Sequence, residues 1–69
     1  KLRNSGRDHR LTVRTADQSQ DLAVSAKATG RGSSINGGEF LMLALATCYC
    51  NDLYREAERL GLTVDMVEV

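Results

Sequence analysis

Residues 39–60, EFLMLALATCYCNDLYREAERL, constrain the fold more than any other part of the chain. The window is helix-length, holds neither glycine nor proline, and is closed by Gly61. Its first half is apolar on every side, its second half on one side only. Projected at about 100° per residue, Leu43, Ala46, Cys50, Leu53, Tyr54, Ala57 and Leu60 form one apolar stripe. Asn51, Asp52, Arg55, Glu56, Glu58 and Arg59 fill the opposite arc. Cys48 falls in the middle of that second arc. Cys50 lies roughly 200° round from it, so the two thiols cannot bond to each other within a regular helix. Cys50 reads as packing, and Cys48 as the thiol with access to polar chemistry.

Strand patterns flank this helix. Residues 1–8, KLRNSGRD, read as a lead-in. His9–Thr15 alternates, with Leu11 and Val13 on one face and Thr12 and Arg14 on the other. Leu22–Ala28 alternates again, and with ADQSQ as a polar turn the two runs predict a hairpin over 9–28. Residues 29–38, TGRGSSINGG, are a loop with four glycines that feeds into the helix. After Gly61, Leu62–Met66 alternates and Val67–Val69 extends it, predicting a strand over 62–69. The expected class is α+β, in the order β-β-α-β.

Size and charge narrow the function. Sixty-nine residues make one small domain at most, and such a chain buries only about 60% of its unfolded surface. A formal net charge of zero argues against an electrostatic role on nucleic acid or an anionic membrane. KLRNSGRDHR has no apolar core of a secretory signal, and no stretch reaches the roughly 20 apolar residues of a membrane span. Two cysteines on one helix are not a disulfide scaffold, so a cytoplasmic, reducing compartment is expected. One histidine and two thiols at i, i+2 make a poor zinc site, and neither metal nor cofactor is expected. His9, among charged residues, reads as a solvated side chain. A chain that begins at Lys1 without a methionine and stops in a strand-like run is expected to be a fragment or part of something longer.

The apolar surface then requires a partner. The hairpin's small inner side chains (Leu11, Val13, Leu22, Val24, Ala26) and the last strand can cover one side of the helix. They cannot also cover Phe40, Leu41 and Leu45. At roughly 25 cal/mol per Å², leaving such side chains wet forfeits several kcal/mol, most of a small domain's stability. A second subunit, or further chain, packed on the helix is the expected solution.

The run Asn36-Gly37-Gly38-Glu39-Phe40-Leu41-Met42-Leu43-Ala44-Leu45-Ala46-Thr47-Cys48 resembles the signature of the osmotically inducible protein C / organic hydroperoxide resistance (OsmC/Ohr) superfamily, approximately N-P-x-E-L-L-L-A-A-L-A-x-C. The resemblance covers the last 40 or so residues well and the first 28 by pattern alone. It implies an α+β domain about twice this length, an intertwined homodimer with central helices packed between sheets, and a site at the dimer interface. It also implies reduction of organic hydroperoxides: a cysteine at the Cys48 position attacks the peroxide, a later cysteine resolves the sulfenic acid, and a thiol reductant restores the enzyme. Gly37 stands where the family has proline, and Gly38 where the hydroperoxide-resistance branch has a catalytic glutamate. No resolving cysteine lies within these residues, and Cys50 is not its equivalent.

The chemistry asks for a cation near the sulfur, because the thiolate is the nucleophile. Cys48 is about two and a half turns inside the helix, beyond the useful range of the macrodipole. Arg55, two turns on and on the same face, is the candidate; Arg10, Arg14 and Arg31 are others. Asp52 opposes a thiolate, and Arg55 can neutralise it at i, i+3. Glu39 reads either as a partner of a catalytic arginine or as a first-turn carboxylate favoured by the dipole. Arg31 and the loop glycines read as an anion site at the helix start or as a flexible connector. Tyr49 and Tyr54 read as packing aromatics, with Tyr49 a candidate pocket residue. Two functions stay open: a Cys48 peroxidase, and a non-catalytic OsmC-like binding or assembly domain with an inert Cys48.

Overall fold

Two tight turns organise the first part of the chain, seen in a computed structural model that describes residues 1–69. Ser5 faces Asp8 across Gly6-Arg7, and Thr15 faces Gln18 across Ala16-Asp17. In each two-residue loop the first φ is positive, 58° at Gly6 and 55° at Ala16, and the second is negative. That sign pattern is the type II′ hairpin turn, which follows the natural twist of the strands. Gly6 adopts it without strain. Ala16 is the one non-glycine residue with positive φ and carries a steric penalty there.

The turns join three antiparallel strands, β1 (Leu2–Ser5), β2 (Asp8–Thr15) and β3 (Gln18–Leu22), in the order β1-β2-β3. Leu2, Leu11 and Leu22 stand opposite one another across the three strands, the apolar row of one face. Leu11 in the centre is half-buried; Leu2 and Leu22 are exposed. The other face carries Arg3, Arg10, Thr12 and Asp21, with Arg3 paired to Arg10 and Thr12 to Asp21. Thr12 Oγ1 donates to Asp21 Oδ1 at 3.2 Å.

Two expectations are corrected in this half. The lead-in over residues 1–8 is β1 and its turn. The second arm of the 9–28 hairpin lies at Gln18–Leu22, ahead of the predicted Leu22–Ala28. The two-residue turn returns the chain at once, so pairing begins at Gln18. An outer strand needs no apolar face, and Q-S-Q-D suits an open edge. Residues 25–34 form a small ribbon instead: Ala26 bridges Ser33, Lys27 N donates to Gly32 O and Ser34 N to Ser25 O, both at 3.0 Å.

The chain divides into two compact units, residues 1–36 and 37–69. The second contains α1 (Gly37–Arg59), two residues longer at its start and one shorter at its end than the 39–60 window. Asn36 precedes it and Glu39 is its third residue, the spacing of a capping box. The helix ends in a Schellman motif. Gly61, at φ 71°, donates to Glu58 O at 3.1 Å, and Leu62 N donates to Ala57 O at 2.8 Å. Glycine is required at this position because the closing turn is left-handed.

Residues 62–69 pair with no other segment, so the strand predicted there is absent and the order is β-β-β-α. Alternation supplies a face, but a strand also needs a ladder partner. The α+β class holds. Ala57, 7% exposed, is the one buried residue of the chain. Ala46, Cys50 and Leu53 share its stripe and are half-buried, whereas Leu43, Tyr54 and Leu60 of the predicted stripe are exposed.

Candidate functional site

Cys48 sits half a helical turn round α1 from Ala57, on the side of the helix opposite the most covered residue. Its thiol is exposed and free; that of Cys50 is free and half-buried. The strip through Cys48 changes character at the sulfur. Toward the helix start it presents Leu41 and Leu45, each 58% exposed. Toward the end it presents Asp52 and Arg55, whose side chains are also largely exposed. The sequence produces this border directly, because the apolar run FLMLALATCYC gives way to NDLYRE without a break in the helix.

Arg55 Nη2 donates to Asp52 Oδ1 at 2.5 Å, an i, i+3 pair on the strip. Asp52 is one turn beyond Cys48, and Arg55 is seven residues beyond it, about 10 Å along the axis. The guanidinium is therefore drawn to the carboxylate that lies between it and the sulfur. One turn on, Arg59 Nε donates to Glu56 Oε2 at 2.8 Å. Thr47 Oγ1 donates back to Leu43 O at 2.8 Å and is committed to the helix backbone.

Glu39 does not join this strip. It precedes Cys48 by nine residues, about 14 Å of rise and half a turn, so one chain does not bring the two together. Its place is the first turn of α1. Tyr49, 60% exposed, is a quarter turn from Cys48. Arg10, Arg14 and Arg31 belong to the other unit, where Arg10 Nε pairs with Asp8 Oδ2 at 3.3 Å.

That unit holds two features that reading along the chain missed. Arg7 clamps the glycine loop: its guanidinium donates to the carbonyls of Lys27 at 2.8 Å, Ala28 at 3.1 Å and Gly30 at 3.3 Å. With the Ala26–Ser33 bridge, these bonds tie the loop to the β1–β2 turn and to itself. His9, expected as solvated, is half-buried. Asn4 Nδ2 and His9 Nδ1 are 3.2 Å apart, and His9 Nε2 is buried without a partner. The cross-strand register explains it, since Asn4 stands directly opposite His9 on the leucine face.

No group of three or more His, Cys, Asp or Glu side chains is gathered as metal ligands would be, and no helix is long and apolar enough to cross a membrane. Comparison with protein-family models, curated proteins and solved structures gives no match.

Proposed function

We propose that the chain is an OsmC-like protein that reduces organic hydroperoxides, with Cys48 as the peroxidatic nucleophile and a homodimer as the working form. The observation that carries this reading is the place of Cys48: an exposed thiol at the border between bare apolar side chains, Leu41 and Leu45, and the charged pair Asp52–Arg55. The apolar half suits a second subunit and the organic part of a hydroperoxide; the polar half suits the oxygens. The N-x-x-E-F-L-M-L-A-L-A-x-C run agrees with it.

In the reaction the Cys48 thiolate attacks the outer peroxide oxygen. An S–O bond forms, the O–O bond breaks, and the alkoxide leaves as alcohol after taking a proton. The sulfur is oxidised to sulfenic acid as the peroxide is reduced. A thiol reductant then attacks that sulfur, water leaves, and a mixed disulfide forms. A second reductant thiol releases Cys48 and carries the oxidation away as a disulfide. Arg55 is the residue assigned to stabilise negative charge on the strip, and Glu39 serves the helix start. The protein would act in the cytoplasm with no metal or organic cofactor.

Stoichiometric organic hydroperoxide followed by a sulfenic-acid trap tests this. Cys48 should be labelled far faster than Cys50, and Cys48→Ser should abolish thiol-dependent peroxide consumption. Equal, slow labelling of both thiols overturns it. That outcome favours the second reading, a non-catalytic binding or assembly domain, for which the commitment of Arg55 to Asp52 is the specific support.

A further inference from the structure

The antiparallel register sets two arginines against each other. Arg3 of β1 stands directly opposite Arg10 of β2, and like charges in that position destabilise a strand pair. Alternation places Ser5, Asp8, Thr12 and Arg14 on the same face. Two surface cavities meet at the arginine pair. One, of about 320 Å³, is lined by Arg3, Ser5, Asp8 and Arg10. The other, of about 190 Å³, is lined by Lys1, Arg3, Arg10 and Thr12. The whole chain is neutral, yet Lys1, Arg3, Arg10 and Arg14 outnumber Asp8 and Asp21 on this face. Asp8 Oδ2 lies 3.3 Å from Arg10 Nε, one carboxylate set against the two guanidinium groups of the arginine pair.

We propose that Arg3 and Arg10 form a binding site for a phosphate group, free or as a phosphate monoester. A single guanidinium fork satisfies a carboxylate. Two forks from adjacent strands, with the Ser5 hydroxyl beside them, match the larger number of acceptor lone pairs and the double charge of a phosphate. The bound dianion would also remove the Arg3–Arg10 repulsion, so part of the binding free energy comes from relief of a cost already built into the sheet. Asp8, which lines the larger cavity opposite Ser5, repels an anion, which places the phosphate on the Arg3 side of Arg10. The site is independent of Cys48 and of the peroxidase reading.

Titration of inorganic phosphate into the isotope-labelled full chain, at constant ionic strength and followed by NMR, tests this. Saturable shifts should centre on Arg3, Ser5 and Arg10, with glycerol phosphate reproducing them and acetate binding at least tenfold more weakly. Arg3→Gln and Arg10→Gln should each weaken phosphate at least tenfold, while Arg14→Gln, which lines neither cavity, should leave it unchanged. Shifts that do not saturate, or that survive in the Arg3→Gln and Arg10→Gln chains, overturn the site. If a glutamine variant loses the β1–β2 amide pattern, Arg3→Lys and Arg10→Lys decide. They keep the charge without the fork, so a tenfold loss supports the site and full affinity overturns it.

Discussion

Arg55 holds its guanidinium 2.5 Å from the Asp52 carboxylate, and Asp52 lies one turn beyond Cys48 on the same face of α1. A charge-neutral pair thus stands where the proposed chemistry asks for a positive field. Because both side chains are exposed, the pair is weak and easily redistributed.

Replacing Asp52 with Asn removes a negative charge near the sulfur and frees Arg55. Alkylation of Cys48 at neutral pH and low salt should speed up by about two- to threefold, with Cys50 unchanged, and Arg55→Gln should slow it by a similar factor. Competitive alkylation read by peptide mass gives both rates. Identical Cys48 rates in the three chains would show that the strip is not electrically coupled to the thiol.

The bare apolar half of the strip makes a separate prediction. If a second copy covers Leu41 and Leu45, Leu45→Glu removes about 1.5–3 kcal/mol of burial per subunit and introduces a charge. The dimer dissociation constant should rise by about 100-fold or more, measured by light scattering across a dilution series. Glu58→Gln, away from the strip, should leave it alone. A wild-type chain that is monomeric at every concentration removes the shared-helix proposal.

Ala16 is an L-residue held at φ 55°. Ala16→Gly should stabilise the β2–β3 hairpin by about 1 kcal/mol, because the left-handed cost exceeds the added freedom of the unfolded chain. For a domain of this size that raises the melting temperature by about 4–8 °C. A lowered melting temperature would contradict the turn geometry.

Arg7→Ala should loosen the glycine loop without unfolding the sheet. Amide exchange at Lys27 and Ser34, whose N–H groups hold the ribbon, should accelerate by about tenfold, while β2 amides keep their protection. Uniform acceleration would instead make Arg7 a global stabiliser.

The helix was legible because its evidence is local. The gap in glycine and proline over residues 39–60 and the stop at Gly61 each act within a turn or two, and α1 covers nearly the same span. The different surroundings of Cys48 and Cys50 follow from two residues of helical rotation. The sheet was less legible. Ser5-Gly6 was an available turn signal, yet the flanking LRNS and DHRL carry too much charge to announce themselves as strands, and β1 went unread. Gln18–Leu22 is polar because it is an edge, so hydrophobic alternation pointed past it to Leu22–Ala28. Arg7 reaches a loop some twenty residues away, and Arg3 meets Arg10 only through register. Pairings at that separation have no signature in either segment alone. Residues 62–69 show the converse, with the pattern of a strand and no neighbour to make it one.

Ala57 as the sole buried side chain has a thermodynamic corollary. If a second copy masks the remaining apolar surface as proposed, it binds the native state and not the unfolded one, so by mass action it raises stability with the logarithm of its own concentration. In that case the melting point of this polypeptide would not be a fixed constant but a reading of its own concentration.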